Sequence, residues 1–118
     1  MISENNTSWV PTMAIDLGAT SCCCGVWMNG KVHIVPNEKN NKITPAYVAF
    51  TENDVLVGEP ARDQAHLNPE NTIYGVRNLL GKKITDPNVA SEISKFPFKT
   101  EESDEGKVIM SVTKQGEP

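Results

Sequence analysis

One stretch constrains this chain more than any other. It runs Met13-Ala14-Ile15-Asp16-Leu17, then Gly18-Ala19-Thr20-Ser21, then Cys22-Cys23-Cys24-Gly25-Val26-Trp27-Met28. Two short apolar runs joined by a small polar turn read as a β-hairpin. The first run delivers a carboxylate to the edge of a glycine turn, where successive backbone N–H groups and the Thr20 hydroxyl face one space. Such a turn can cradle phosphate oxygens. Phosphate beside carboxylate repels unless a cation lies between them, so Asp16 fits as a direct or water-mediated Mg2+ partner. Gly18 reads as the residue that permits close approach to the backbone. An ordinary hairpin with an aspartate near its turn accounts for the same residues, and the motif alone leaves both readings open.

Downstream, Asn29-Gly30 is the strongest short turn signal, because both central positions of a type I′ turn need positive φ. A third strand is expected over 31–35, a polar loop over 37–44, a strand over 45–50 and a turn over 51–54. The period then changes. A short helix is expected over 59–67, stopping before Asn68-Pro69. Asn68 is placed as the cap of a second helix with Pro69 as its first residue, where a missing N–H costs nothing. That helix would bury Ile73, Val76, Leu79 and Leu80 and end at Gly81 as a left-handed cap. A weaker helix runs from Asp86-Pro87 to Ser94. The segments 96–99 and 108–113, around a charged turn at 101–106, look like a closing hairpin. The chain stops at Gln115-Gly116-Glu117-Pro118 just after a strand, an ending unlike a natural terminus that would leave an exposed edge.

A chain of 118 residues has room for one modest core. An apolar share of 38% and a charged share of 22% keep it clear of the disordered regime. The formal charge of −4 argues against the basic footprint needed for nucleic acid. No stretch approaches the roughly 20 apolar residues of a membrane span, and the polar opening lacks a signal-peptide core. A soluble, cytoplasmic protein is expected, with residues 1–12 as a disordered tail, Trp9 included. The sequons at Asn5 and Asn6 are read as chance triplets. Cys22, Cys23 and Cys24 are neighbours that strand geometry points to alternate faces, so they read as small core residues rather than disulfide or metal partners. Trp27 is expected to pack. His33 and His66 are expected as surface or capping residues, and the acidic Glu101, Glu102, Asp104 and Glu105 as a solvated hairpin tip.

Beyond the first hairpin, the residues Cys23 with Gly25-Val26-Trp27, Asn29-Gly30-Lys31-Val32, Thr44-Pro45 with Tyr47-Val48-Ala49-Phe50, Leu67-Asn68-Pro69 with Asn71-Thr72, Leu79-Leu80-Gly81 and Asp86-Pro87 follow Ile15-Asp16-Leu17-Gly18 in order. In that order they resemble the start of the seventy-kilodalton heat-shock chaperone family, also called DnaK-type chaperones, from Ala14 to about Val112. The resemblance implies an α/β fold: a partial actin-like, ribonuclease-H-like ATPase lobe, an antiparallel meander followed by short helices and a closing hairpin. Residues 13–118 would form the incomplete first lobe of a nucleotide-binding domain.

The resemblance also implies ATP or ADP with Mg2+ as cofactors. Asp16 corresponds to the family's magnesium-shell aspartate, Gly18 to its turn glycine and Thr20 to the second of two turn threonines. Three positions depart. Ala19 stands where the first threonine is expected. Ser21 replaces an aromatic residue that helps line the nucleotide site. Arg77 occupies the position of the lysine used in hydrolysis, and a planar guanidinium fork does not reproduce a compact ammonium. A site of this type lies between two lobes and the chain supplies one wall, so it is not expected to be a working ATPase by itself. In a complete protein, ATP hydrolysis would be coupled to holding unfolded peptides with the help of co-chaperones. The alternative is a truncated, non-enzymatic chaperone-like module that pairs with intact relatives. A sugar-kinase or actin relative sharing only the hairpin fits less of the chain.

Overall fold

The computed structural model describes residues 11–113. The expected tail, with Trp9 and both sequons, falls almost wholly outside the described residues, as do residues 114–118. The boundary of the tail shifts by one position, because Thr12 already belongs to the first strand.

Strand β1 (Thr12–Leu17) pairs antiparallel with β2 (Ser21–Met28) from Thr12 opposite Trp27 to Leu17 opposite Cys22. Strand β3 (Lys31–Ile34) returns along β2 through Asn29 at φ 53° and Gly30 at φ 76°, the two positive values that the Asn-Gly signal demands. The meander thus forms as read. The expected strand over 45–50 does not form in one piece. Strand β4 (Thr44–Pro45) adds to β2, pairing Cys22 with Thr44 and Ser21 with Pro45. At Ala46 the chain leaves this sheet, its N–H donating to the Thr20 carbonyl at 2.9 Å. Strand β5 (Tyr47–Phe50) then becomes the centre of a second antiparallel sheet, between β6 (Val55–Val57) and β7 (Thr72–Tyr74).

Helix α1 (Glu59–Asp63) starts where expected but ends four residues early. Residues 64–67 continue as tighter turns, with Ala65 N–H bonded to the Arg62 carbonyl and Leu67 N–H to that of Gln64. The Gln64 amide meanwhile reaches the Ala61 carbonyl at 2.7 Å and the Thr72 hydroxyl at 2.8 Å. The second helix expected from Pro69 to Leu80 is absent from the described residues. In its place stand a 3₁₀ turn (Pro69–Asn71), strand β7, a left-handed Gly75 and a second 3₁₀ turn (Val76–Leu79). Thr72, Ile73 and Tyr74 are β-branched or aromatic, and an open strand of the second sheet offers them a ladder. Leu79 is buried, but Leu80, expected on the same helical face, is 71% exposed. Asn68 does not cap a helix with its side chain; its amide donates to the Phe50 carbonyl at 2.9 Å.

Helix α2 (Pro87–Ile93) forms as expected, with the Asp86 carboxylate accepting from the Asn88 N–H at 2.8 Å. The closing hairpin pairs β8 (Lys99–Glu102) with β9 (Val108–Ser111), three residues later on its first strand than expected. Phe96 and Phe98 precede it and join Tyr47 and Tyr74 in an aromatic cluster. Centroids lie 4.8 Å apart for the Tyr47–Tyr74 stack and 4.6 Å for the Phe96–Phe98 stack.

The architecture is therefore mixed α/β, with antiparallel sheets and few helices. Its core lies around the second sheet, where Ala49, Ala61, Leu79, Val89 and Phe98 are buried. Thr72 is also buried, and donates to the Asn68 carbonyl at 2.7 Å. The first sheet is barely covered. Met13, Ile15 and Leu17 share one face and are each more than 60% exposed, while Trp27 and Val32 on the other face are more than half exposed. Trp27 is thus no packing residue among the described residues, and Cys22, Cys23 and Cys24 are half-buried free thiols rather than core. His33 is half-buried in β3, with a buried Nε2 that has no partner among the described residues, whereas His66 is exposed. No helix among the described residues is long and apolar enough to cross a membrane.

Candidate functional site

The turn between β1 and β2 is closed by the Gly18 N–H donating to the Ser21 carbonyl at 3.0 Å. That bond explains the glycine. A Cβ added at Gly18 would lie 2.3 Å from the Ser21 carbonyl oxygen, so the turn itself excludes a side chain before any ligand arrives. The Thr20 carbonyl is held by Ala46. The N–H groups of Ala19 and Thr20 enter no hydrogen bond among the described residues, and so leave two successive donors open at the turn.

These donors border two different grooves. Leu17, Gly18, Ala19 and Cys22 line a largely apolar cleft of about 460 Å³, whose far wall is built by Ile73, Gly75, Val76, Arg77 and Leu80. Arg77 projects from the second 3₁₀ turn, is exposed and forms no ion pair among the described residues. The fold therefore brings Arg77 to the same cleft as the glycine turn, although the two lie far apart in sequence. Thr20 and Ser21 instead line a neighbouring groove of about 540 Å³ with Asn41, Tyr47, Glu59 and Arg62. Pro45 and Tyr47 border both spaces, so the turn sits on the ridge between them.

Asp16 enters neither groove. Strand alternation sends it to the opposite face from Leu17, beside Cys23. It is exposed and unpaired among the described residues. A nucleotide-borne Mg2+ takes only one or two protein carboxylates and keeps several waters, so a single free carboxylate at the strand end suits it. Among the described residues no cluster of three or more His, Cys, Asp or Glu could hold a metal by itself.

Glu59 and its partners were not singled out from the sequence, yet they form the densest polar network near the turn. Its carboxylate accepts from the Asn37 amide at 3.0 and 3.1 Å and from the Asn41 amide at 2.9 Å. The carboxyl is held below the usual carboxylate range, first by a bond from its own backbone N–H at the helix start and then by the Asn37 amide. A depressed carboxylate stabilises the fold above its unfolded pKa and ceases to do so as pH falls through the folded value. Thermal melts of the chain are therefore expected to lose stability below about pH 4.5, and Glu59→Gln to flatten part of that acid limb. The charged tip at Glu101 to Glu105 is exposed and engaged locally, Glu101 with Lys99 and the Ser111 hydroxyl, Glu105 with Lys107.

The open Ala19 N–H and Arg77 share one largely apolar cleft, and groups of these two kinds are ones that can receive an anion. The comparisons with known proteins say which class of protein carries it. A family model described as Hsp70 protein matches residues 12–118, and the chain belongs to that family. Heat shock 70 kDa protein 2 of Paracoccidioides lutzii is 39% identical over 107 residues, covering 91% of this chain and 16% of the relative. Heat shock cognate HSP70 protein of Trypanosoma brucei brucei is 42% identical over 105 residues, covering 89% of this chain and 16% of its own length. Heat shock 70 kDa protein cognate 1 of Drosophila simulans is 44% identical over 89 residues, 75% of this chain and 42% of the relative. The chain thus spans 16% of the length of the first two relatives and 42% of the third.

Proposed function

We propose that this chain is the opening part of an actin-like ATPase lobe and that its first hairpin grips the phosphates of ATP in a heat-shock-type chaperone of the cytoplasm. The observation that carries the reading is the shared cleft: the Gly18-Ala19 turn and Arg77, which forms no ion pair among the described residues, both line it. An anion entering there would meet the open Ala19 N–H and Arg77, with apolar walls that strengthen each contact. Asp16, which borders neither groove, would act on the Mg2+ that accompanies the nucleotide through the metal's bound waters, while Thr20 would supply a hydroxyl at the rim. Ala19 and Ser21 would leave the pocket with one hydroxyl and one aromatic wall fewer than the resemblance implies. Arg77 would bind the terminal phosphate as a fork, without the point-charge geometry that hydrolysis requires.

Family membership supports the wider role, in which ATP turnover in the whole protein drives the holding and release of unfolded peptides together with co-chaperones. One lobe wall buries little of a nucleotide, so the isolated chain should bind ATP weakly. The test uses a full-length family member carrying residues 13–113 of this chain in place of its own. MgATP should bind, and Asp16→Asn should weaken MgATP at least about 10-fold while altering metal-free ATP much less. Equal affinities for MgATP in the two proteins would sink the assignment of Asp16. No binding by either would sink the ATP reading.

The uncovered first sheet favours a second reading, a chaperone-like module that acts by pairing rather than by turnover. A peptide-independent, sugar-dependent ATPase in the same chimera would point to a third class.

A further inference from the structure

The loop between β3 and β4 is organised around one side chain. The Asn37 Oδ1 accepts from the backbone N–H of Lys39 and of Asn41, both at 3.0 Å, which closes the loop on itself. The other half of the same amide looks outward. Its Nδ2 donates to the Thr44 hydroxyl at 3.1 Å and to the Glu59 carboxylate. Asn41 Nδ2 adds a second bond to Glu59. Thr44 is the residue of β4 that pairs with Cys22, and two positions later Ala46 holds the Thr20 carbonyl. A continuous run of hydrogen bonds and strand pairing therefore leads from α1, through Asn37 and β4, to the Gly18–Ser21 turn.

We propose that Asn37 is a positioning residue for the phosphate turn: by clamping Thr44 to Glu59 it fixes β4 against β2, and so sets where the turn presents its open N–H groups. The inference rests on the reading of that turn as a phosphate cradle, but its mechanical part can be measured without nucleotide. The two halves of the amide separate its roles. Asn37→Asp keeps an oxygen for the loop, removes the donor and sets a negative charge against Glu59. Adding Glu59→Gln restores the contact with its polarity reversed, since the new amide can donate to the new carboxylate.

The readout is amide hydrogen exchange of the whole chain, followed at Ala46 and Gly18 and compared with Val26 and Ala49. Asn37→Asp should lower protection at Ala46 and Gly18 about 10-fold or more, with smaller changes at the two reference amides. The double variant should return both values to within about twofold of the parent. Unchanged protection at Ala46 in Asn37→Asp overturns the proposal, as does a double variant no better than the single. Should Asn37→Asp not fold, the parent chain provides the second measurement. Glu59 faces Asn37 and Asn41 from the loop, with Arg62 on its own helix and Glu38 and Lys39 beside the same cavity; Arg62 is itself paired to Asp63. Protection at Ala46 should fall as acid protonates Glu59, and that step should vanish in Glu59→Gln; a step that survives the substitution overturns the proposal. Addition of MgATP to the chimera gives a separate arm. If Asn37 controls the turn but MgATP alters none of its amides, the phosphate assignment fails and the clamp stands.

Discussion

Replacing Arg77 by lysine and Ala19 by threonine in the chimera is expected to raise single-turnover ATP hydrolysis on the order of 10²-fold. Arg77 already lies in the cleft with the glycine turn, so on the proposed reading the exchange keeps the charge and changes only its geometry. A guanidinium spreads its donors over a plane and binds an oxyanion as a fork, whereas an ammonium can point at a water and a phosphate oxygen together. Ala19 compounds the loss, because its methyl offers no hydrogen bond where the terminal phosphate would sit. The gain should appear in the rate and not in affinity: MgATP binding should change by less than about 10-fold, since both forms carry the same charge. A chimera that hydrolyses ATP normally before repair would mean that the arginine is no handicap.

Gly18→Ala is expected to be the most damaging single substitution in the first sheet, with a loss of about 3 kcal/mol. The reason is steric. A methyl 2.3 Å from the Ser21 carbonyl oxygen cannot coexist with the 3.0 Å bond that closes the turn. Either the hydrogen bond breaks or the two strands part, and both outcomes leave backbone groups unsatisfied. Gly81→Ala is a useful control. There the backbone is left-handed, unlike that of Gly18, but the added carbon meets nothing within 4 Å, so only the conformational penalty of about 1 kcal/mol applies. Urea melts of the two variants should therefore separate clearly. Similar midpoints would show that the turn is soft enough to accept a side chain.

The parts of the fold that were legible in the sequence are those set by neighbouring residues. Asn29-Gly30 dictates a tight reversal through its two positive φ values, and Asp86-Pro87 marks a helix start because aspartate caps and proline tolerates the first position. The segment after Asn68 misled because Ile73, Val76 and Leu79 repeat at helical spacing, while the competing signal was only three residues long. What decides it is β5, about twenty-five positions upstream, which offers Thr72–Tyr74 a ladder and Tyr74 a ring to stack on. Strand β6 escaped notice for the same reason, being three residues that gain their structure from a partner. In the candidate site, the Asp16–Ser21 turn was visible as a motif, whereas the placement of Arg77 was legible only through resemblance to a family. Nothing in its immediate neighbours says that an exposed arginine on a short 3₁₀ turn faces a distant hairpin. The Asn37–Glu59 clamp was equally hidden, because asparagine in a polar loop is ordinary until its two partners are known.

The first sheet carries a consequence for synthesis. Its three main strands span Thr12 to Ile34 and pair with one another as near neighbours in the chain, before the later β4 is needed, so closing these three requires little loop entropy and can happen early. It would close with apolar side chains bare on both faces and with β1 as an open edge. A nascent polypeptide in that condition is adhesive, and crowded polysomes hold many copies within reach of one another. Slow codons placed after this segment would prolong the exposure, and fast ones would shorten it. The pace of translation thus becomes part of how such a segment avoids sticking to its own copies.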